Sequence, residues 1–442
     1  MIRWRVVVVS LVFVISTSPS YAQDPYIVSL QDEVDRLRML ANIQWLEEIG
    51  DDNPVDTTAA GTRFVGSELA RSGWIVNALR DSLVGYGWDV GLDAFTIVQD
   101  TLGVVPCWNV IARRDGQNAD AMIVIGAHWD SINSRTSPTS WDDPEAPAPA
   151  ANDNGSGIAT LLEIGRILGS KPFRQDVELC FFGGEELWMR GSRHHVDQLM
   201  AAGINVAGYF NVDMVGYDYT PDALPPVGWD MKLFYDTQST WFKNLVVSWI
   251  GQYSDIAVVT DHIHTSWANS DVHPFWQADR PAVGFWEGDD HAYNYDNRWD
   301  THQYSFVLDP GPPYHNLAYG RFLEEMCRTA LACFAEWADV RQGTAVDPLA
   351  PECLALSSYP NPFRPGDGAL LRLALPGAAS ETARVEIFDV GGRHLRSLAM
   401  DGTGEARWDG RDEQGEALPA GLYLARTTGL PAAASQRIVL LR

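Results

Sequence analysis

The chain has 442 residues, enough for more than one domain and a large buried core. Its 58 acidic against 32 basic residues give a formal charge of −26. That balance excludes a nucleic-acid binder, because no basic stripe exists to replace phosphate counterions. It suits a soluble, exported protein that must not adhere to anionic surfaces. Most of the 17 tryptophans read as core, with some left to line a pocket or cover a sheet face.

Residues 1–22 read as a secretory leader. Arg3 and Arg5 precede the apolar run Val6 to Ile15, and Ser20-Tyr21-Ala22 supplies small residues for cleavage. The apolar run is too short for a comfortable span, so no membrane insertion is expected once the leader is gone. The five cysteines lack zinc-finger spacing. Cys107 and Cys180 sit in strand-like runs as small buried hydrophobes. A Cys327–Cys333 or Cys333–Cys353 disulfide stays open in an oxidising compartment.

In chain order, Val28 to Ile49 reads as one helix. Ser67 caps a second, along which Ile75, Leu79 and Leu83 recur at four-residue spacing until Gly85-Tyr86-Gly87. Val90–Val98 and Val104–Ala112 are strands. Met122–Ala127 is apolar without alternation, as expected of a parallel strand covered on both faces. Residues 132–151, rich in Ser, Thr, Pro and Ala, read as an irregular surface loop. A helix through Ile158 to Leu168 follows, then strand Val177–Phe182, a helix at Ser192–Met200 and strand Ala207–Val212. A helix at Ser239–Ile250, a strand at Ala282–Trp286 and a helix at Leu317–Val340 complete the alternation. The expectation is an α/β fold, with a largely parallel mixed sheet flanked by helices over residues 23–342. After a linker at 343–353, residues 354–442 carry short β-type runs at Leu370–Leu375, Arg384–Phe388, Leu422–Thr427 and Arg437–Leu441. These read as a small β-sandwich without chemistry of its own.

Three apolar runs end in groups that suit a metal. Met122–Ala127 leads into His128-Trp129-Asp130, Val177–Phe182 into Gly183-Gly184-Glu185-Glu186, and Ala207–Val212 into Asp213. Between them Ala151-Asn152-Asp153-Asn154-Gly155 opens a helix. Ligands of open α/β sheets bind outside the carboxyl ends of the strands, so four segments deliver ligand-type groups to one edge. His128 can bind through one ring nitrogen while the other donates to Asp130. Asp153 can face both members of a metal pair, and Glu186 and Asp213 can supply one ligand to each. Glu185 is then the general base beside the bridging water. Each residue also has an ordinary explanation: a core histidine, a helix N-terminal acidic pair or a turn residue. None of these accounts for the recurrence. His194, His195, His262 and His264 read as surface or supporting groups, and His273 receives no role.

These residues resemble a known family. His128-Trp129-Asp130-Ser131, Asn152-Asp153-Asn154-Gly155-Ser156-Gly157, Gly184-Glu185-Glu186-Leu187 with Gly191-Ser192, and Asn211-Val212-Asp213-Met214-Val215-Gly216 are similar to successive motifs of the bacterial leucyl aminopeptidase and aminopeptidase Y family of zinc metallopeptidases. The resemblance, over roughly residues 30–340, implies an enzyme acting on peptide substrates with two zinc ions, and the leader implies that it is exported. His128 and Asp213 would bind one ion, Asp153 would bridge, Glu186 would bind the second and Glu185 would be the base. The family's last ligand is a histidine, and Asp296 stands at that position here, with His291 as its rival. An oxygen-only set of Asp153, Glu186 and Asp296 would favour Mn²⁺ or Mg²⁺ over Zn²⁺ at that position. The departure keeps two alternatives open: a glutaminyl cyclase-like single-metal enzyme, and a catalytically silent surface or binding protein on the same scaffold. Ser358-Tyr359-Pro360-Asn361-Pro362-Phe363 and Pro419-Ala420-Gly421-Leu422-Tyr423 resemble type-nine-secretion sorting domains, and also the Ig-like domain of hook-capping proteins. The first resemblance implies secretion machinery or cell-surface attachment as partners, and the second only a sandwich spacer.

Overall fold

The computed structural model describes residues 23–47, 61–117, 121–134, 137–216, 229–263, 270–287 and 320–340. From the C-terminal part it describes 357–359, 363–365, 371–374, 383–389, 393–401, 405–428 and 435–440. The leader, Asp296, His291 and Cys353 lie outside these residues.

The N-terminal helix is broken in two, as α1 (Pro25–Gln31) and α2 (Arg36–Glu47). This corrects the single helix expected over Val28–Ile49. Asp24 caps α1 by accepting from the Tyr26 amide, and Pro25 occupies its first turn, where a missing N–H is harmless. The helix expected after Ser67 is likewise split. Ser67 caps the single turn α3 (Glu68–Arg71) by accepting from Ala70 N. Gly73, at φ +74°, then starts α4 (Trp74–Gly85).

The remaining elements alternate: β1 (Asp89–Gln99), β2 (Gly103–Arg114), β3 (Met122–His128), α5 (Gly155–Leu168), β4 (Asp176–Phe182), α6 (Arg190–Ala201), β5 (Val206–Val212), β6 (Asp230–Tyr235), α7 (Thr240–Tyr253), β7 (Ala257–His262), α8 (Val272–Gln277), β8 (Ala282–Glu287) and α9 (Arg321–Ala338). They form an eight-stranded sheet ordered β1-β2-β4-β3-β5-β8-β6-β7. The centre, β4-β3-β5-β8, is parallel, while β2 and β6 run against it on either side. Every residue of β3 and β5 is buried, which is why those runs carry no polar alternation.

Alternate side chains of β3 and β4 enter two different cores. Ile123, Ile125, Val177 and Leu179 join the large core beneath α4, α5, α7 and α9. Met122, Val124, Cys180 and Phe182 join a smaller one with Val196 of α6 and Phe275 of α8. Because β4 and β5 lie on opposite sides of β3, the chain reverses its winding there. The crevice at such a switch point is where open α/β sheets bind ligands.

The loop at 132–151 is irregular and exposed at 137–138 and 141–143, as expected, but part of it is buried. Ser140, Ala146, Ala148, Ala150 and Ala151 are buried. Arg63, itself fully buried, gathers the segment by donating to the carbonyls of Leu46, Trp129, Pro149 and Ala150. Cys107, Cys180, Cys327 and Cys333 are buried free thiols, so the Cys327–Cys333 bridge is not made. Both residues face the interior of α9, where they fill space as small apolar groups.

The C-terminal part forms a three-stranded sheet of β9 (Ser357–Tyr359), β10 (Leu371–Ala374) and β13 (Glu405–Trp408). A four-stranded sheet joins β11 (Arg384–Asp389), β12 (His394–Ala399), β14 (Gly421–Thr428) and β15 (Ser435–Leu440). Both are antiparallel throughout. They share a core centred on the fully buried Trp408, with Val385, Ile387 and Ala425 around it. Among the described residues, no helix is long and apolar enough to cross a membrane.

Candidate metal centre

Four of the five expected donors meet at the carboxyl edge of the sheet. His128 is the last residue of β3, Asp213 follows β5, Glu186 lies on the turn after β4, and Asp153 precedes the α5 N-cap Asn154. Donor atoms of His128, Asp153 and Glu186 all lie within 4.8 Å of one another. His128 Nε2 is 3.1 Å from Asp153 Oδ1 and 3.6 Å from Asp213 Oδ1. His128, Asp153 and Asp213 are buried, and Glu185 and Glu186 are half-buried.

Asp130 behaves differently from expectation. His128 Nδ1 lies 3.1 Å from the backbone carbonyl of Asp130 and 3.8 Å from its carboxylate. The buried carboxylate instead accepts the amide protons of Glu185 (3.0 Å) and Glu186 (3.3 Å). Asp130 therefore fixes the histidine through its main chain and the Glu185-Glu186 turn through its side chain. Its role is positional.

The turn itself is a compressed loop. Met189 N donates to Glu185 O, Arg190 N to Gly184 O, and Gly191 N to Gly183 O. Gly184 has φ +70°. A Cβ on Gly191 would lie 2.2 Å from Asn109 Oδ1 and 2.5 Å from Gly183 O, so only glycine permits this closure. Asn109, fully buried on β2, bonds both ends: its Oδ1 accepts from Gly183 N, and its Nδ2 donates to Gly191 O.

The bridging candidate is held from behind. Asn154 Nδ2 donates to Val212 O, and its Oδ1 accepts from the amides of Gly157 and Met214, locking the start of α5 to the end of β5. Asn152 donates to Glu287 Oε2 at the end of β8 and accepts from Gly216 N. The Asp153–Asn154 peptide is cis.

Asp213 is oriented by residues the sequence did not reveal. Ser270 Oγ donates to Asp213 Oδ2 at 2.6 Å, Asn211 Nδ2 donates to Ser270 Oγ, and Tyr209 OH donates to Asn211 Oδ1. This leaves Asp213 Oδ1 buried without a hydrogen-bond partner, turned toward His128 Nε2. Such a carboxylate oxygen is unfavourable unless something else binds it. Asp271, fully buried beside Ser270, accepts from Ser192 Oγ on α6. Its second oxygen is likewise without a hydrogen bond. The sequence signal was slight: Ser270-Asp271 belong to the segment of His273, but nothing in their spacing tied them to Asp213.

The charges on these groups reflect their crowding. Burial opposes a charged His128, yet the carboxylates of Asp153 and Asp213 beside its Nε2 push its pKa well above the usual value. Burial pushes Glu185 well up, against the pull of His128 and with the like charges of Asp271, Asp213 and Asp153 adding to it. Asp271 is raised to about 7, chiefly by burial. Imidazole, several carboxylates and an orphaned carboxylate oxygen form a donor set that fits divalent zinc or a similar ion. A cation there would relieve the repulsion among these carboxylates. Asp296 and His291 lie outside the described residues, so the completion of the second position rests on sequence alone.

Residues 109–307 match the profile of Peptidase family M28. All four described donors and Glu185 fall inside that stretch. The match supports Peptidase family M28. Aminopeptidase YwaD of Bacillus subtilis (strain 168) is 38% identical over 111 residues, covering 24% of this chain and 22% of its own. Leupeptin-inactivating enzyme 1 of Streptomyces exfoliatus is 30% identical over 191 residues, covering 42% of this chain and 37% of its own. The chain thus spans about a fifth to two fifths of the length of these curated relatives. LapB from Legionella pneumophila superposes with a TM-score of 0.50 at 17% identity, over 72% of this chain and 76% of that one, a likeness of fold alone. The M28-like stretch ends before α9, and the C-terminal sheets lie outside it.

Proposed function

We propose that the chain is an exported, metal-dependent aminopeptidase that hydrolyses N-terminal residues from peptides. The observation that carries this reading is the convergence of His128, Asp153 and Glu186, with the unpartnered Asp213 Oδ1 beside them and Glu185 on the same turn. His128, Asp153, Glu186 and Asp213 would hold a pair of divalent ions, with zinc the expected metal and Mn²⁺ an alternative where Asp296 contributes. Such ions supply Lewis acidity toward the scissile carbonyl and an acidified water.

The chain's own groups do the rest. Glu185, half-buried and with a raised pKa, is suited to take a proton from water and pass it to the leaving amine. Asp130 and Asn109 keep that carboxyl in place by holding the backbone of its turn. A silent scaffold would have no use for a proton acceptor beside the donor cluster, which favours the enzymatic reading. The leader-like residues 1–22 support export, and the C-terminal sheets suit carriage to, or attachment at, the cell surface.

The test is an assay of the full chain on aminoacyl chromogenic amides, before and after treatment with chelator and after zinc or manganese is restored. Turnover should vanish with chelation, return with metal, and be absent from Glu185→Gln. Turnover that survives complete metal removal would contradict the reading, as would a metal-loaded protein inert on every aminoacyl amide.

A further inference from the structure

The loop that carries Glu185 and Glu186 closes on the side-chain amide of Asn109, and a second carboxylate sets the direction of that amide. Asp93 lies directly across from Asn109 in the ladder of β1 and β2, and its Oδ2 accepts from Asn109 Nδ2 at 3.0 Å. The two protons of that nitrogen are thus divided between Asp93 and Gly191 O, also at 3.0 Å. Asn109 Oδ1 accepts from Gly183 N at 3.1 Å. A carboxamide has one donor end and one acceptor end. Turned over, Asn109 would set its oxygen against a carboxylate and a carbonyl, and its NH₂ against the Gly183 N–H. Gly191 O alone disfavours that flip, but Asp93 opposes it with a full negative charge. A hydrogen bond to such an acceptor is roughly twice as strong as a neutral one.

Asp93 is itself held from α6, the helix into which the Glu185 turn runs. Gln198 Nε2 donates to Asp93 Oδ1 at 3.0 Å, and His194 Nε2 lies 3.1 Å from the same oxygen. The His194 ring stacks on Phe95, with centroids 5.2 Å apart. The Asp93 side chain is 14% exposed and that of His194 32%, so these contacts lead from the surface inward to the turn. Pairing of β1 with β2 does not call for an acidic residue there. The ladder runs unbroken from Asp89–Arg113 to Gln99–Gly103, and aspartate is depleted in strands. On the opposite side Asp130 accepts the amides of Glu185 and Glu186. One carboxylate therefore grips the loop directly, and the other through Asn109.

We propose that Asp93 is a positioning residue of the metal centre: by fixing the direction of the Asn109 amide it sets the place of Glu186 as a ligand and of Glu185 as the proton acceptor. For Glu185 the inference rests on the peptidase reading above; for Glu186 it rests on the donor cluster.

The experiment measures zinc affinity by chelator competition, kcat and KM on aminoacyl amides, and the melting temperature of the chelator-treated full chain. The parent is compared with Asp93→Ala, Asp93→Asn, Asn109→Ala and the double variant Asp93→Ala/Asn109→Ala. Asp93→Ala should weaken zinc binding about tenfold, the lower end of what loss of an outer partner costs. At saturating zinc its kcat should fall by about the same factor, with KM little changed. Asp93→Asn keeps an acceptor oxygen for Asn109 Nδ2 and should recover most of both. In the Asn109→Ala background, Asp93→Ala should add little, because the carboxylate acts through the amide that is already gone. A lower melting temperature in Asp93→Ala with zinc affinity and kcat at the parent level would make the carboxylate structural and overturn the proposal. Fully additive losses in the double variant would overturn it too, as would an Asp93→Asn no better than Asp93→Ala. A parent that binds zinc and turns over no aminoacyl amide overturns the peptidase reading alone, and the zinc affinities of the variants still decide the role of Asp93.

Discussion

Two buried clusters in this chain have nearly the same ingredients and opposite finish. His128, Asp153 and Glu186 form one; Glu178, Cys180 and His195 form the other, on the face of the sheet covered by α6, and each set has donor atoms close enough for a metal. In the second, charges are matched inside the fold. Arg113 bonds Glu178 Oε1, His195 Nε2 lies 2.9 Å from Glu178 Oε2, and Asp93 stands 3.9 Å from His195 Nδ1. These contacts leave Glu178 with a lowered pKa: burial opposes its charge, but His195 and Arg113 outweigh that penalty. The first cluster sets His128 against the carboxylates of Asp153 at 3.1 Å and Asp213 at 3.6 Å. It leaves Asp213 Oδ1 without a hydrogen bond and raises the pKa of Glu185 and Asp271. Composition therefore does not separate a structural polar knot from a site. His195 Nδ1 of the second cluster is also without a hydrogen bond, so what separates the two is an unbonded carboxylate oxygen, because a buried ion without a partner is stable only when an external group supplies one.

The largest expected effect falls on the unsatisfied cluster. Glu185→Gln keeps shape and removes the proton acceptor, so kcat should drop by about 10³-fold or more while metal content, read by elemental analysis, stays at the parent level. Loss of metal together with activity would move Glu185 from base to ligand.

Glu178→Ala tests the matched cluster. It strips Arg113 and His195 of their shared partner and should lower unfolding free energy by about 3–4 kcal/mol, measured by denaturant titration. Bound metal should not change. A fall in metal stoichiometry would show the second cluster to be a site as well, and the distinction drawn here would fail.

A pH series sharpens the contrast. Asp271 in the folded, metal-free chain titrates at about 7, against a reference of 3.8. Above pH 4 the unfolded chain has therefore released a proton that the folded chain still holds. Stability should consequently fall as pH rises from about 4 to 7, and level off beyond. About three pKa units at roughly 1.4 kcal/mol each give about 4 kcal/mol, a figure that already includes the Ser192 hydrogen bond. Asp271→Asn should gain that amount at pH 8 and nothing at pH 3.5, in denaturant titrations of chelator-treated protein. An equal gain at both values would contradict the account.

The smallest effect belongs to Ser270. Removing its hydroxyl frees Asp213 Oδ2 to rotate, and loss of such an outer partner typically weakens metal binding about 10–100-fold. Ser270→Ala should show this in chelator competition, and Ser270→Thr should restore much of it.

What could be read in advance follows from the range of the signal. The largely apolar runs of β3, β4 and β5 announce themselves, because burial on both faces leaves few polar residues, Glu178 and Asn211 among them. Their C-terminal ends then locate His128, Glu185, Glu186 and Asp213. By contrast β6 alternates only weakly and β7 is largely exposed; neither carries a hydrophobic pattern, and both went unread. The break between α1 and α2 is marked by Asp35, whose carboxylate accepts from the amides of Leu37 and Arg38, a start signal hidden by the stronger periodicity that follows. Asn109, Arg63 and Ser270 act on partners up to 87 positions away, and no local spacing encodes such contacts. Asp130 was legible as a neighbour of His128 but not as the acceptor for two amides 55 and 56 residues on.

The most direct test of the central claim is metal occupancy measured together with turnover, as zinc is titrated into the chelator-treated full chain and into Asp153→Ala. The account predicts that the parent binds zinc tightly and gains aminoacyl-amide turnover in step with occupancy, while Asp153→Ala loses both. Turnover without bound metal, or full occupancy in Asp153→Ala, would contradict it.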